Sequence, residues 1–199
     1  GTKTEFRCTQ VDIRQYEENH FIDTSKPVWN YSLLTDEDVT NFQAGTQYQL
    51  YKKFGSHVVC IHGRWGMYFC VWAPNATSVS VKGNFNKWKN HEYELFPRWD
   101  KSGIWEGFIP DCKYGEAYKY HFVGFAKRKL DKGDPFANYW ELRPQTASIA
   151  WDMYYQWNDV AWMKKRKKNN SLNAPWSVYE VHLASWQRPD KNNEDSYNT

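Results

Sequence analysis

A mainly β fold, an immunoglobulin-like antiparallel β-sandwich, is what three features of this sequence predict. From His57 onward, short runs of β-branched and aromatic residues recur. Clusters of Gly, Pro, Asn and Asp separate them at intervals of about a dozen residues, the rhythm of a sandwich or barrel. One run is patterned with particular clarity. Val79 and Val81 alternate with Ser78, Ser80 and Lys82, the period-2 signature of a strand with one buried face. The aromatic content of 19%, from 12 Trp, 14 Tyr and 11 Phe, is core material and excludes a disordered chain.

The elements follow in order. Thr2 to Trp29 mixes charges of both signs without a clean period, which predicts an irregular arm with a short helix near Asp12 to Glu18. Thr35 to Phe42 predicts a short helix: Thr35 caps, Asp36, Glu37 and Asp38 crowd the first turn, and Val39 and Phe42 share a face. Gly45 and Thr46 end it, and Tyr48 to Phe54 leads into the sheets. Strands are predicted at His57–His62, Met67–Trp72, Ser78–Lys82, Tyr93–Phe96, Ile104–Ile109, Ala117–Val123 and Arg128–Leu130. Pro74 cannot donate to a ladder, so Ala73 to Ala76 is a turn. A hairpin centred near Trp65 brings Cys60 and Cys70 across from each other as reduced core thiols. Asp134 to Asp152 is a long connection that wraps the sandwich. Trp157, Val160, Ala161 and Lys164 lie at helical spacing within Trp157–Lys168. Asn169 to Ala174 is a linker, Trp176 to Leu183 reads as a strand, and Arg188 to Thr199 is a polar tail.

Much chemistry is disfavoured. The net charge of +3 requires no polyanionic partner, and no apolar run approaches a membrane span. The start, GTKTEFRCTQ, lacks an apolar signal core, so the cytoplasm is the expected compartment. The four cysteines show no C-x-x-C spacing, and HVVCIH divides His57 from Cys60 and His62 across two strand faces, so no metal site is expected. There is no G-x-S-x-G and no phosphate loop. Glu92, Glu94, Glu106 and Glu116 read as solvent-facing, which leaves no glycosidase pair in a cleft. Lys164 to Lys168 reads as a solvated helix end rather than a nucleic-acid patch. The aromatic surplus remains. Gly83 and Asn84 break the strand and deliver Phe85, Asn86 and Trp88 to a loop at the rim. A ring beside an amide suits the apolar face and hydroxyls of a pyranose. The alternative is that Trp88 caps the sheet's own core.

YFCVWAPNATSVSVKGNFNKW, Tyr68 to Trp88, resembles the carbohydrate-binding module of family 48 at the front of α-amylase superfamily enzymes that handle branched glucans. LTDEDVTNFQAGTQYQLYKKFGSH, GDPFANYWELRPQTAS and WNDVAWMKKRKKNNSLNAPWSVYEVHLASW resemble segments that flank it in bacterial 1,4-α-glucan branching enzymes, over about Leu34 to Trp186. The module motif alone is shared with isoamylases and pullulanases, so a module of a debranching enzyme is the alternative. The resemblance implies a retaining transglycosylase of glycogen biosynthesis that forms α-1,6 branches from α-1,4 glucan without a cofactor. It divides the chain into an arm with a short helix (1–42), the module (43–152), a helical connector (153–174) and the start of a (β/α)8 barrel (175–199) whose first strand is Ser177–Leu183. The catalytic carboxylates lie beyond that strand, so no catalytic residue and no branching activity are expected of this chain alone. The partners implied are α-glucan and the rest of the barrel in cis, with no nucleic acid, membrane or metal. The positions that bind glucan in relatives are Trp88 after FN and Lys119 of the Y-K-Y strand, with Asn86 alongside. The turn after that strand, GFAKRKL, has Phe125 where such relatives often add a second Trp. The resemblance therefore leaves open a glucan-binding module and a domain that docks on the barrel.

Overall fold

A computed structural model of the chain describes residues 20–124, 127–151, 153 and 155–182. The chain divides into two compact units, Gly1–Tyr154 and Tyr155–Thr199. The expected helix near Asp12 to Glu18, Cys8, Phe125, and Leu183 with the tail beyond it lie outside the described residues.

The first unit is the predicted antiparallel sandwich. Its strands are β1 (Gly55–Ile61), β2 (Arg64–Trp72), β3 (Ala76–Gly83), β4 (Tyr93–Glu94), β5 (Phe96–Pro97), β6 (Ile104–Pro110), β7 (Ala117–Gly124), β8 (Lys129–Lys132), β9 (Tyr139–Trp140) and β10 (Ser148–Ile149). One sheet has the order β1-β2-β6-β5. The other runs β4-β3-β7-β10-β9, with β8 on β7. Met67, Phe69 and Val71 of the first sheet meet Val79, Val81, Tyr118 and Tyr120 of the second in the interior. Each such side chain contributes about 1.5–3 kcal/mol by burial.

The two sheets differ on their outer faces. The segment before β1 covers the first sheet. Ile22, Trp29, Tyr31 and Leu34 pack on Tyr68, Cys70, Ile104 and Phe108, and Val39 joins them from helix α1 (Asp36–Gln43). Trp29 and Phe108 exchange two backbone hydrogen bonds, 2.7 and 2.9 Å. Burial on both sides explains why Met67 to Val71 is an unbroken apolar run. α1 starts as predicted: Asp38 N–H donates to Thr35 Oγ1 and Thr35 N–H donates to Asp38 Oδ2, a capping box. The outer face of the second sheet instead carries Ser78, Ser80 and Lys82, so β3 alternates.

Three expectations are corrected. The β1–β2 hairpin turns at His62 and Gly63, not near Trp65, because both take the positive φ (50° and 74°) that a two-residue hairpin needs. Cys60 therefore pairs with Trp65 and Cys70 with Gly55, and both thiols are free. Glu106 is not solvent-facing. It points to the covered side of the first sheet and is 4% exposed, accepting from Tyr68 Oη (2.5 Å), Ser32 Oγ (2.8 Å) and Arg98 Nη1 (2.9 Å). The third correction concerns the second unit, described below.

The connection after β8 packs on the sandwich and extends it. Asp134 is fully buried. Its Oδ2 accepts from Tyr118 Oη (2.6 Å) and Tyr120 Oη (3.1 Å), its Oδ1 from Phe136 N–H (2.8 Å), and its own N–H donates to Ser148 Oγ (2.8 Å). β9 and β10 then add to the second sheet. Burial raises the Asp134 pKa above 3.8, although the tyrosines and Phe136 N–H favour the ionised form. The sign of the linkage follows. Below the ordinary aspartate value, folded and unfolded chains both hold the proton. As pH rises past it the unfolded chain ionises first, so this group's contribution to stability falls until the folded carboxyl ionises too. Urea titrations from about pH 4 to neutrality are expected to show native stability declining relative to that of Asp134→Asn. Parallel pH profiles would contradict this.

In the second unit, helix α2 (Val160–Asn169) buries no side chain. Its last turn holds Arg166, Lys167 and Lys168, where cations complement the exposed carbonyls. The helix begins three residues after the predicted Trp157, following Asp159, whose side chain makes no cap bond. The predicted strand at Trp176–Leu183 is not formed over residues 176–182. A strand is defined by its ladder, and the ladders among the described residues do not include residues 176–182.

Candidate functional site

β3 ends at Gly83 because the chain there leaves no room for a side chain. A Cβ on Gly83 would stand 2.3 Å from the Ala117 carbonyl oxygen and 2.7 Å from the Phe85 ring. A single 3-10 turn, Asn84–Asn86, follows. Lys87 and Trp88 then both take left-handed φ, 52° and 60°. That is strained for two non-glycine residues and persists only where surrounding bonds over-determine it. Asn86 supplies those bonds. Its Oδ1 accepts from Gly83 N–H (2.9 Å), and its Nδ2 donates to the carbonyls of Val81 (3.3 Å) and Lys89 (3.1 Å). Trp88 N–H donates to Gly83 O (2.9 Å), and Trp88 Nε1 donates to Asn84 Oδ1 (3.0 Å). The indole is therefore half-buried and fixed in orientation at the strand end.

Lys119 comes to the same place by register. Gly83 pairs with Tyr118 and Lys82 with Lys119 across β3 and β7. Tyr118 and Tyr120 point inward, so Lys119 projects from the outer face. Its Nζ donates to Thr146 Oγ1 (2.7 Å), and among the described residues it forms no ion pair. Neighbouring charges are paired. Lys82 Nζ lies 2.9 Å from Asp131 Oδ2, and His121 Nδ1 lies 2.6 Å from Asp131 Oδ1. Burial pushes Asp131 up, but the bonds from Lys82 and His121 outweigh it and hold the carboxyl below its usual value. The loop after Trp88 returns over this face, where the His91 ring meets His121 edge-on at 5.0 Å.

The structure thus brings Trp88, Asn86 and Lys119 to one end of the β3–β7 pair. Asn86 is buried, and its amide is spent on the loop. These bonds hold the loop that carries Trp88. Sequence reasoning missed two residues. Asn84, read as a pattern breaker, anchors the indole. Thr146 holds Lys119 from 27 residues away, a distance over which no spacing rule operates. Chemically, the arrangement offers a fixed, half-buried indole, an ammonium with no ion pair among the described residues and the Thr146 hydroxyl, which suit a polyol. Among the described residues no three His, Cys, Asp or Glu side chains are grouped to hold a metal ion. No helix of the described residues is long and apolar enough to cross a membrane.

Residues 53–137 match the family described as carbohydrate-binding module 48 (isoamylase N-terminal domain). The chain is 44% identical over 164 residues to the 1,4-alpha-glucan branching enzyme GlgB of Aquifex aeolicus, covering 82% of this chain and 26% of that protein. It is 46% identical over 154 residues to the enzyme of the same name from Thermosynechococcus vestitus, covering 77% and 20%. The chain therefore spans about a quarter or less of the curated relatives it matches. A pullulanase from Bacillus acidopullulyticus aligns in structure with a TM-score of 0.41 at 20% identity, covering 50% of this chain and 12% of that one.

Proposed function

We propose, from the premise that residues 53–137 belong to the family-48 carbohydrate-binding modules, that the chain is the N-terminal region of a 1,4-α-glucan branching enzyme and that its module binds α-glucan. On this reading the parent protein cleaves α-1,4 chains and re-attaches them as α-1,6 branches in the cytoplasm. The carboxylates for that chemistry reside in the part the relatives have beyond this region. The chain alone has no branching activity.

One observation carries the binding role: the Trp88 indole is held by Asn84 at the strand end that also carries Lys119. The ring takes the apolar face of a glucosyl unit, and Lys119 and Thr146 take its hydroxyls. The test is calorimetric titration with maltoheptaose. Saturable binding is expected, with affinity about tenfold lower in Trp88→Ala, a difference of about 1.4 kcal/mol. Absence of saturable binding at millimolar sugar, or equal affinity in the variant, would overturn the reading.

The second unit supports a docking role beside this one. Trp157, Trp162 and Trp176 are all more than half exposed, and Trp176 reaches 78%. So much aromatic surface on so small a unit suits an interface with the catalytic domain that follows in the parent protein.

A further inference from the structure

Trp151 lies between Tyr114 and Tyr139, with ring centroids 4.7 Å away on either side and planes tilted by 41° and 39°. Tyr139 and Tyr114 are 48% and 41% exposed. Trp151 and Tyr139 follow residue 137, where the family match ends, and the candidate site does not include the cluster. Register fixes where it stands. Tyr139 pairs with Ile149, and Ile149 with Ala117. Gly83 pairs with Tyr118, so the same row meets β3 just past Gly83, where the Trp88 loop begins. Tyr118 and Ala150 point into the interior, which puts Tyr139, Trp151 and Lys119 together on the outer face of the second sheet. From β3 to β9 is three strand spacings, about 14 Å, with Lys119 on the strand between.

We propose that the glucan site continues along this row. An α-1,4-glucan seated at Trp88 and Lys119 crosses β7 and β10 and packs further glucosyl units on the Tyr139–Trp151–Tyr114 cluster. The proposal rests on the glucan reading above and extends it. Three features favour a sugar here over a polypeptide. The rings brace one another, so little side-chain freedom is lost when a ligand stacks on them. The tyrosines present an apolar face and a polar tip together, which matches the two aspects of a pyranose. The face presents the Lys119 ammonium, which forms no ion pair among the described residues; an apolar protein surface would desolvate it, whereas sugar hydroxyls accept its hydrogen bonds.

The experiment compares maltotriose with maltoheptaose by calorimetry on the full chain, in wild type, Tyr139→Ala, Tyr114→Ala, Tyr139→Phe and Trp88→Ala. Thermal unfolding checks that each variant folds. Maltoheptaose affinity is expected to fall about three- to tenfold in Tyr139→Ala and Tyr114→Ala, and to persist in Tyr139→Phe. Maltotriose, too short to reach from Trp88 to β9, is expected to bind all three tyrosine variants as it binds wild type. If both alanine variants bind maltoheptaose with wild-type affinity while Trp88→Ala does not, the extension fails and the primary site stands. The rings are then left to a protein neighbour. If wild type binds neither sugar, the extension and the reading beneath it fail together.

Discussion

Replacing Arg98 by alanine is expected to destabilise the sandwich by about 3–5 kcal/mol, the effect of breaking a buried ion pair from one side. Arg98 is a hub beneath the covered face of the first sheet. Its Nη1 donates to Ser32 Oγ (2.5 Å) and Glu106 Oε1 (2.9 Å), and its Nε donates to Asp100 Oδ2 (2.6 Å). The guanidinium lies 4.1 Å from the Trp99 ring centroid. Without it, Glu106 keeps only Tyr68 and Ser32. Burial already pushes the Glu106 pKa up with Arg98 present, and removing the cation moves it further in the same direction. The variant should therefore lose stability as pH rises above the ordinary glutamate value and regain part of it in acid. Adding Glu106→Gln removes the stranded charge, so the double variant is expected to unfold at higher urea than Arg98→Ala alone near neutral pH. A loss below about 1 kcal/mol in Arg98→Ala would mean that the network adds little beyond packing.

The same network marks where sequence pattern stops being informative. β3 was legible because its outer face carries polar side chains, so Val79 and Val81 alternate with Ser78, Ser80 and Lys82. Glu106 sits in β6 between Ile104 and Phe108, and its side is closed by residues that precede it by more than sixty positions. No local period reports such a cover. The short strands β9 and β10 exist through pairing with β7 and with each other, not through a pattern of their own. The reverse holds for Trp176 to His182, where β-type composition is present and the described residues supply no partner strand. At the candidate site, the Phe-Asn-Lys-Trp run pointed to the loop, and resemblance pointed to Lys119. That the two meet depends on the Gly83–Tyr118 register, and Thr146 was beyond any spacing argument.

Asn86 is where fold and proposed function are most tightly joined, and both are expected to fail there together. Its amide makes three hydrogen bonds that hold two left-handed residues in sequence. Alanine would take the acceptor from the buried Gly83 N–H and a donor from each of two carbonyls, a loss of about 1–3 kcal/mol at the first alone. Aspartate is the sharper test because it keeps the shape. One oxygen still accepts from Gly83 N–H, but the other replaces a donor with an acceptor against Val81 O and Lys89 O. Near neutral pH, Asn86→Asp should thus be about as damaging as Asn86→Ala, in stability and in maltoheptaose affinity. In acid the carboxyl gains a proton that can be donated to one of those carbonyls, so Asn86→Asp alone should recover part of both. The two variants separate a role in positioning from a role in contact. If Asn86 touched the sugar and did not shape the loop, affinity would fall with no change in the unfolding midpoint. If it acts through Trp88, the two losses move together across pH, and adding Trp88→Ala to Asn86→Ala lowers affinity little further.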